Sequence, residues 1–132
     1  MTLTNVDYKT YITSPEWRNK HKPWLKRSKY RCAFSGLTIG RTIKGKYFGY
    51  AVHHMKYENL GDETLWVDVI CLHPLIHRLI VHGILSGFKR PSQQAHYPNK
   101  AQQVFHYWCT LPHLVRVALI GAIAVNVVKV LL

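Results

Sequence analysis

Tyr47-Phe48-Gly49-Tyr50-Ala51-Val52-His53-His54 is the stretch on which the fold of this 132-residue chain turns. A short apolar and aromatic run followed by a polar segment, Met55 to Thr64, reads as a β-strand over Tyr47 to His53 leading into a loop. Successive strand side chains face opposite ways, so adjacent imidazoles at the strand end project to opposite sides. One can then hold a metal ion while its neighbour takes a proton near neutral pH. Asp68 and His77 lie downstream as further polar candidates for such a site.

Working outward, the strand sits in a strongly basic chain. Eighteen Lys and Arg face six Asp and Glu, for a formal net charge of +12, and the last acid is Asp68. Such an excess favours polyanionic partners, nucleic acid first and an anionic membrane surface second, with a small basic subunit of a larger assembly as the alternative. The length suits one domain with a modest core. Cys32, Cys71 and Cys109 are odd in number, widely spaced and without a CxxC pair. That pattern argues against a disulfide framework and for a reducing, cytoplasmic setting. Cys71 reads as a buried apolar residue and Cys109 as packing beside Trp108, while His96, His106 and His113 have no evident partners. Met1 to Lys9 lacks an apolar stretch, so no secretory signal is expected.

Upstream, Ser14-Pro15-Glu16-Trp17 reads as a helix start, with a Ser cap, Pro at the first position and an acid in the first turn. The helix should reach Lys26 to Ser28, with Trp17 and Trp24 or Leu25 facing inward and Pro23 kinking or breaking it. Arg18, Lys20, Lys22, Lys26 and Arg27 form its other face, either solvated or set against phosphate. Tyr30 to Ser35 reads as a strand joined to Tyr47–His53 by a Gly- and Lys-rich hairpin or loop. Leu65 to Leu72 is a short apolar segment, and His73-Pro74 opens a helix that Ser86-Gly87 closes. Lys100 to Cys109 reads as helical.

Leu111-Pro112 then separates off a final stretch, 114–132, interrupted only by Arg116, Asn126 and Lys129. A bilayer core needs about 20 apolar residues, so a spanning helix requires the flanking cations to snorkel. Tyr107 and Trp108 stand where an interfacial aromatic belt would. Burial against the domain or a protein partner is the other reading, and it leaves the chain cytoplasmic where the first makes it membrane-associated.

The motifs taken together resemble the HNH endonuclease family. Tyr8-x-x-Tyr11-x-x-Ser14-Pro15-Glu16-Trp17-Arg18 and Tyr30-Arg31-Cys32-x-x-Ser35-Gly36 are similar to that family's SPEW-type helix and YRCxxCG knuckle. Val52-His53-His54-Met55-Lys56-Tyr57-Glu58-Asn59-Leu60-Gly61-Asp62-Glu63 is similar to its VHHxxYexlGnE signature. Asp68-Val69-Ile70-Cys71-Leu72-His73-Pro74-Leu75-Ile76-His77 is similar to its DLxxLCxxCH segment. The resemblance spans about residues 8–82.

It implies an α+β fold: a small ββα-metal core with an N-terminal helix, a domain over 1–90, and a helical extension over 91–132 ending in the hydrophobic helix. It also implies metal-dependent hydrolysis of DNA phosphodiesters with low sequence preference. His54 would be the base and Asp68 would orient it or its loop. His53 and His77 would hold one divalent cation, with Mg, Mn, Ni and Zn all open. His82 is a third ligand candidate, although five residues place it about 140° from His77 around an α-helix. Arg31, Arg41, Lys44 and Lys46 would join the cations of the Ser14 helix in contacting DNA. Where the family carries a structural zinc on two Cys pairs, this chain has Cys32, Ser35, His73 and Ile76, and no structural zinc is expected. The departed knuckle and the apolar tail leave a second expectation, a non-cleaving accessory subunit docked into a membrane complex or other assembly.

Overall fold

The computed structural model describes residues 5–44, 46–88 and 98–132, and side chains at 5–7, 41–43 and 46–48 are outside that description. The order is α1 (Asn5–Thr13), α2 (Pro15–Arg27), β1 (Arg41–Ile43), β2 (Lys46–Phe48), β3 (Ala51–His54), β4 (Val69–Leu72), a π-helix (Ile76–Ile84), α3 (Lys100–Thr110) and α4 (His113–Leu131). The fold is α+β, with helices arranged around short antiparallel strands.

α2 begins as its sequence dictates: the Ser14 hydroxyl accepts the Trp17 N–H at 3.2 Å, with Pro15 at the first helical position. Trp17, Trp24 and Leu25 are all buried. Pro23 neither breaks nor ends the helix, which continues to Arg27. Proline removes the donor that would pair the Asn19 carbonyl. Both residues lie on the exposed face, where water can take that carbonyl, while the buried tryptophans hold the opposite face. α1 has no helix expectation behind it and is an addition to the sequence reading.

The strands differ from expectation in pairing. Tyr30 to Ser35 forms only an isolated bridge, Arg31 with Thr38, and a turn. The expected single strand over Tyr47–His53 is split into β2 and β3 at Gly49, where φ is +66°. β2 pairs with β1 in a tight hairpin, and β3 pairs with β4, Ala51 opposite Leu72 and His54 opposite Val69. The histidine strand therefore takes its partner from across the 55–68 loop. β4 wins that place because all four of its side chains are buried, which a run of Val, Ile, Cys and Leu supplies.

The knuckle turn packs on this sheet through Ala33 N–H donating to the Cys71 carbonyl at 2.9 Å, and Cys32 Sγ accepts the His73 amide at 3.2 Å. α3 starts at an Asn99–Gln102 capping box and adds Phe105 and Cys109 to the same buried cluster as Trp17, Leu25 and β4. The domain boundary expected at residue 90 falls outside the described residues, as does His96.

Among the described residues, α4 packs against nothing for most of its length. Val117, Ile120 and Ile123 are more than half exposed, and no part of its apolar window is buried. Burial of this helix against its own domain is thus not what the fold does. Arg116 is the tie at its start, donating to the carbonyls of Ala33 at 2.6 Å and Phe34 at 3.4 Å. Asn126 donates to the Ala122 carbonyl one turn back, so its amide is partly satisfied within the helix.

Candidate metal centre and histidine pair

His53 and His54 project to opposite faces of β3, as their positions on a strand require. Both are buried, at 5% and 3% exposure. His53 turns toward the π-helix, where His77 and His82 offer two more imidazoles, and ligand nitrogens of the three lie within 4.8 Å of one another. His77 and His82 approach at 3.1 Å between Nε2 atoms.

That approach corrects the 140° separation expected of an α-helix. The segment is wound with i to i+5 hydrogen bonds, continued by Leu85 N–H to the Ile80 carbonyl and Phe88 N–H to the Gly83 carbonyl, at 2.9 and 2.8 Å. In a π-helix residues five apart stack on one face, and such windings concentrate at functional sites. The spacing that looks wrong for a ligand pair in an α-helix is right for this one.

The chemistry of the donor set suits a cation. Burial first, then the neighbouring imidazoles, holds His53 well below its usual pKa. Burial and then His82 hold His77 at about 4. Both rings are therefore neutral at pH 7, the form in which an imidazole nitrogen can coordinate a cation. An all-imidazole set suits Zn²⁺, Ni²⁺, Cu²⁺ or Fe²⁺, whereas Mg²⁺ takes oxygen ligands.

His54 lies in a different environment. Its ring is stacked between Trp17, with centroids 4.5 Å apart, and Tyr57, at 5.4 Å. Nε2 faces Glu63 Oε1 at 3.4 Å, and Nδ1 faces the Tyr8 hydroxyl at 3.3 Å. A carboxylate at Nε2 selects the tautomer that donates there, which leaves the Nδ1 lone pair to accept from Tyr8. Burial keeps this imidazole below its usual pKa despite the opposing pull of Glu63. Among the described residues, His53 and His54 share no hydrogen-bonding partner.

Glu63 is a site residue the sequence reading left without a role. Its carboxylate accepts from the Tyr11 hydroxyl at 2.8 Å, Lys20 Nζ at 2.9 Å and the Gly61 N–H at 3.1 Å. Burial would raise its pKa, but these donors outweigh burial and hold it at about 2. Lys20 is thereby corrected: its ammonium also donates to the Gly61 carbonyl and the Tyr11 hydroxyl, so it closes the interior and is not set out for phosphate. Arg18, Lys22, Lys26 and Arg27 on α2, with Arg31 and Lys44, are exposed. The side chains of Arg41 and Lys46 are outside the described residues.

Asp68 holds the loop that joins the two histidine-bearing halves. It is 1% exposed, with Oδ2 accepting the Thr64 N–H at 2.8 Å and Oδ1 accepting Asn59 Nδ2 at 3.0 Å. Its backbone carbonyl accepts from Met55 and Lys56, which fixes the chain directly after His54. The same turn carries Trp66 at φ +74°, an uncommon conformation for a bulky residue.

His106 is the second residue the sequence reading passed over. It comes from α3, is 8% exposed, and sets Nε2 at 2.9 Å from His53 Nε2. It also lines a cleft of about 620 Å³ with Met55, Tyr57, Trp66 and Tyr107. Its approach to His53 spans 53 residues of sequence, and no local pattern announces it.

Comparison of the chain with protein-family models, curated proteins and solved structures finds no match.

Proposed function

We propose that this chain is a divalent-metal-dependent phosphodiesterase of the HNH type that acts on DNA, anchored at a membrane by α4. The convergence of His53, His77 and His82 carries the reading, because three imidazoles are brought together by a winding that an ordinary helix would not provide. The bound ion would supply a Lewis acid for a phosphoryl oxygen and the departing alkoxide. The chain's own part is to hold and orient. Asp68 fixes the 55–68 loop, and Glu63 fixes the His54 tautomer with Nδ1 as the basic atom. The Tyr8 hydroxyl oxygen at Nδ1 marks where a water would stand to lose its proton. Exposed cations on α2, with Arg31 and Lys44, supply sequence-independent phosphate contacts.

The membrane part of the reading rests on α4. Its 19 residues measure about 28 Å at ~1.5 Å per residue, against a hydrocarbon core of ~30 Å. Apart from Arg116, Asn126 and Lys129 it is apolar nearly all round, and its apolar window is unburied among the described residues, as a lipid-facing helix is.

A second reading is favoured by the enclosure of His54 between Trp17 and Tyr57: a metal-holding accessory module of a membrane assembly that does not cleave. Plasmid nicking by the full chain in detergent, with Ni²⁺, Mn²⁺, Zn²⁺ or Mg²⁺, separates the two. The nuclease reading expects metal-dependent nicking that His77→Ala and His54→Ala each lower by at least about 100-fold, the scale of a lost general base or ligand. Metal binding without nicking refutes the nuclease and leaves the accessory module. Release of the full chain from membranes by alkaline carbonate refutes the anchor.

A further inference from the structure

We propose that His106 is a fourth ligand to the ion held by His53, His77 and His82, so that α3 closes onto the metal and the site takes a nitrogen-preferring transition ion and not Mg²⁺. The proposal rests on the three-histidine reading and extends it to a residue outside the motifs that suggested it.

The distances carry it. Neighbouring nitrogens on one ion, each at about 2.0–2.1 Å, are separated by roughly 3.0 Å at right angles and 3.4 Å in a tetrahedron. His53 and His106 present Nε2 atoms 2.9 Å apart, and His77 and His82 present theirs 3.1 Å apart. Both separations match one edge of a coordination polyhedron. His53 joins them, its ring 5.2 Å from His77, 5.6 Å from His82 and 5.0 Å from His106 between centroids. His106 stands outside the three residues whose ligand nitrogens all lie within 4.8 Å of one another, so an ion bound by His53, His77 and His82 would gain it through rotation of the His106 side chain about its contact with His53.

The surroundings agree. Two buried imidazoles, His53 and His106, and two half-buried ones, His77 and His82, are a concentration of ligand nitrogens that suits a cation. α3 is held independently of any ion by its Asn99 cap and by Phe105 and Cys109 in the core, which leaves His106 pre-positioned. His106 lines the cleft, and the half-buried His77 and His82 give the site its further contact with solvent. Four imidazoles fill a tetrahedral Zn²⁺ completely, whereas a six-coordinate Ni²⁺ or Co²⁺ keeps two positions for water or substrate.

The test is metal X-ray absorption on the full chain in detergent loaded with Zn²⁺ or Ni²⁺, counting imidazoles from their multiple scattering. Chelator competition on the same samples supplies affinities. The expected result is four imidazoles in the wild type and three in His106→Leu, with affinity lowered at least about 10-fold. Three imidazoles in the wild type, or an unchanged count in His106→Leu, overturns the proposal while leaving the three-histidine site intact. No binding of either ion by the wild type overturns both. Should His106→Leu fail to fold, the wild-type count decides alone.

Discussion

His21 gives the sharpest handle on what burial of histidine does to this domain. It sits on α2, one turn from both Trp17 and Trp24, with ring centroids 4.9 Å from Trp17 and 5.7 Å from Tyr50. Nδ1 meets the Tyr50 hydroxyl at 3.2 Å, while Nε2 is buried with no hydrogen-bonding partner among the described residues. Burial first, then the nearby His54 and Arg18, lowers its pKa from 6.5 to about 4. The folded state therefore keeps the ring neutral where the unfolded chain protonates it. That stability is complete above pH 6.5 and is lost as pH falls from 6.5 to 4, with no further loss below. The gap corresponds to about 3 kcal/mol at ~1.4 kcal/mol per pH unit, and to about 2 kcal/mol once partial contact with solvent is discounted. His21→Phe keeps the aromatic contacts, removes the unpaired nitrogen and forfeits the Tyr50 bond. Those changes offset to within about 1 kcal/mol at pH 7. Urea denaturation in chelator should then show the variant gaining on the wild type by about 2 kcal/mol between pH 7 and pH 4. Parallel stability profiles across that range would refute the assignment of a neutral, buried His21.

Two other expectations test the frame around the histidines. Glu63→Gln leaves the Lys20 ammonium without its carboxylate in a site where Glu63 is 1% exposed, and should cost about 3 kcal/mol in chemical denaturation, whereas Glu16→Gln on the same lysine, with Glu16 largely exposed, should cost under about 0.5 kcal/mol. Equal costs for the two would remove Glu63 as the organising charge. Deleting Leu79, a residue 54% exposed inside the π-helix, shortens the His77–His82 spacing to the four residues that an α-helix aligns. Zn²⁺ affinity should stay within about 10-fold of wild type while His82→Ala loses far more; a collapse on deletion equal to that of His82→Ala would show that the π winding does not serve the ligand pair.

What could be read in the sequence was what depends on neighbours in the chain. The Ser14–Pro15 start of α2, its inward tryptophans and the opposed faces of His53 and His54 all follow from periods of 3.6 and 2, and the structure keeps each. Lys20 was misread for a reason inherent in that logic. On α2 it is one more cation of a polar face, and only a carboxylate 43 residues away makes it an interior group. The same holds for His106, whose partner stands on another element, and for β4, whose claim on β3 depends on the 55–68 loop that Asp68 pins.

The π-helix is a different kind of failure. Its two histidines are local, but the period used to place them was the wrong one, and periodicity alone cannot reveal which winding a nine-residue apolar segment will adopt. A π turn spends backbone stability that an α-helix of the same residues would keep, so some tertiary requirement must select it. Here that requirement is visible at the site. An α-helix through Ile76–Ile84 would send His82 about 140° away from His77 and break the three-imidazole cluster. The five-residue spacing and the cluster therefore explain each other: a ligand pair at i and i+5 demands the unusual winding, and the unusual winding is the strongest structural argument that the pair has a ligand to hold.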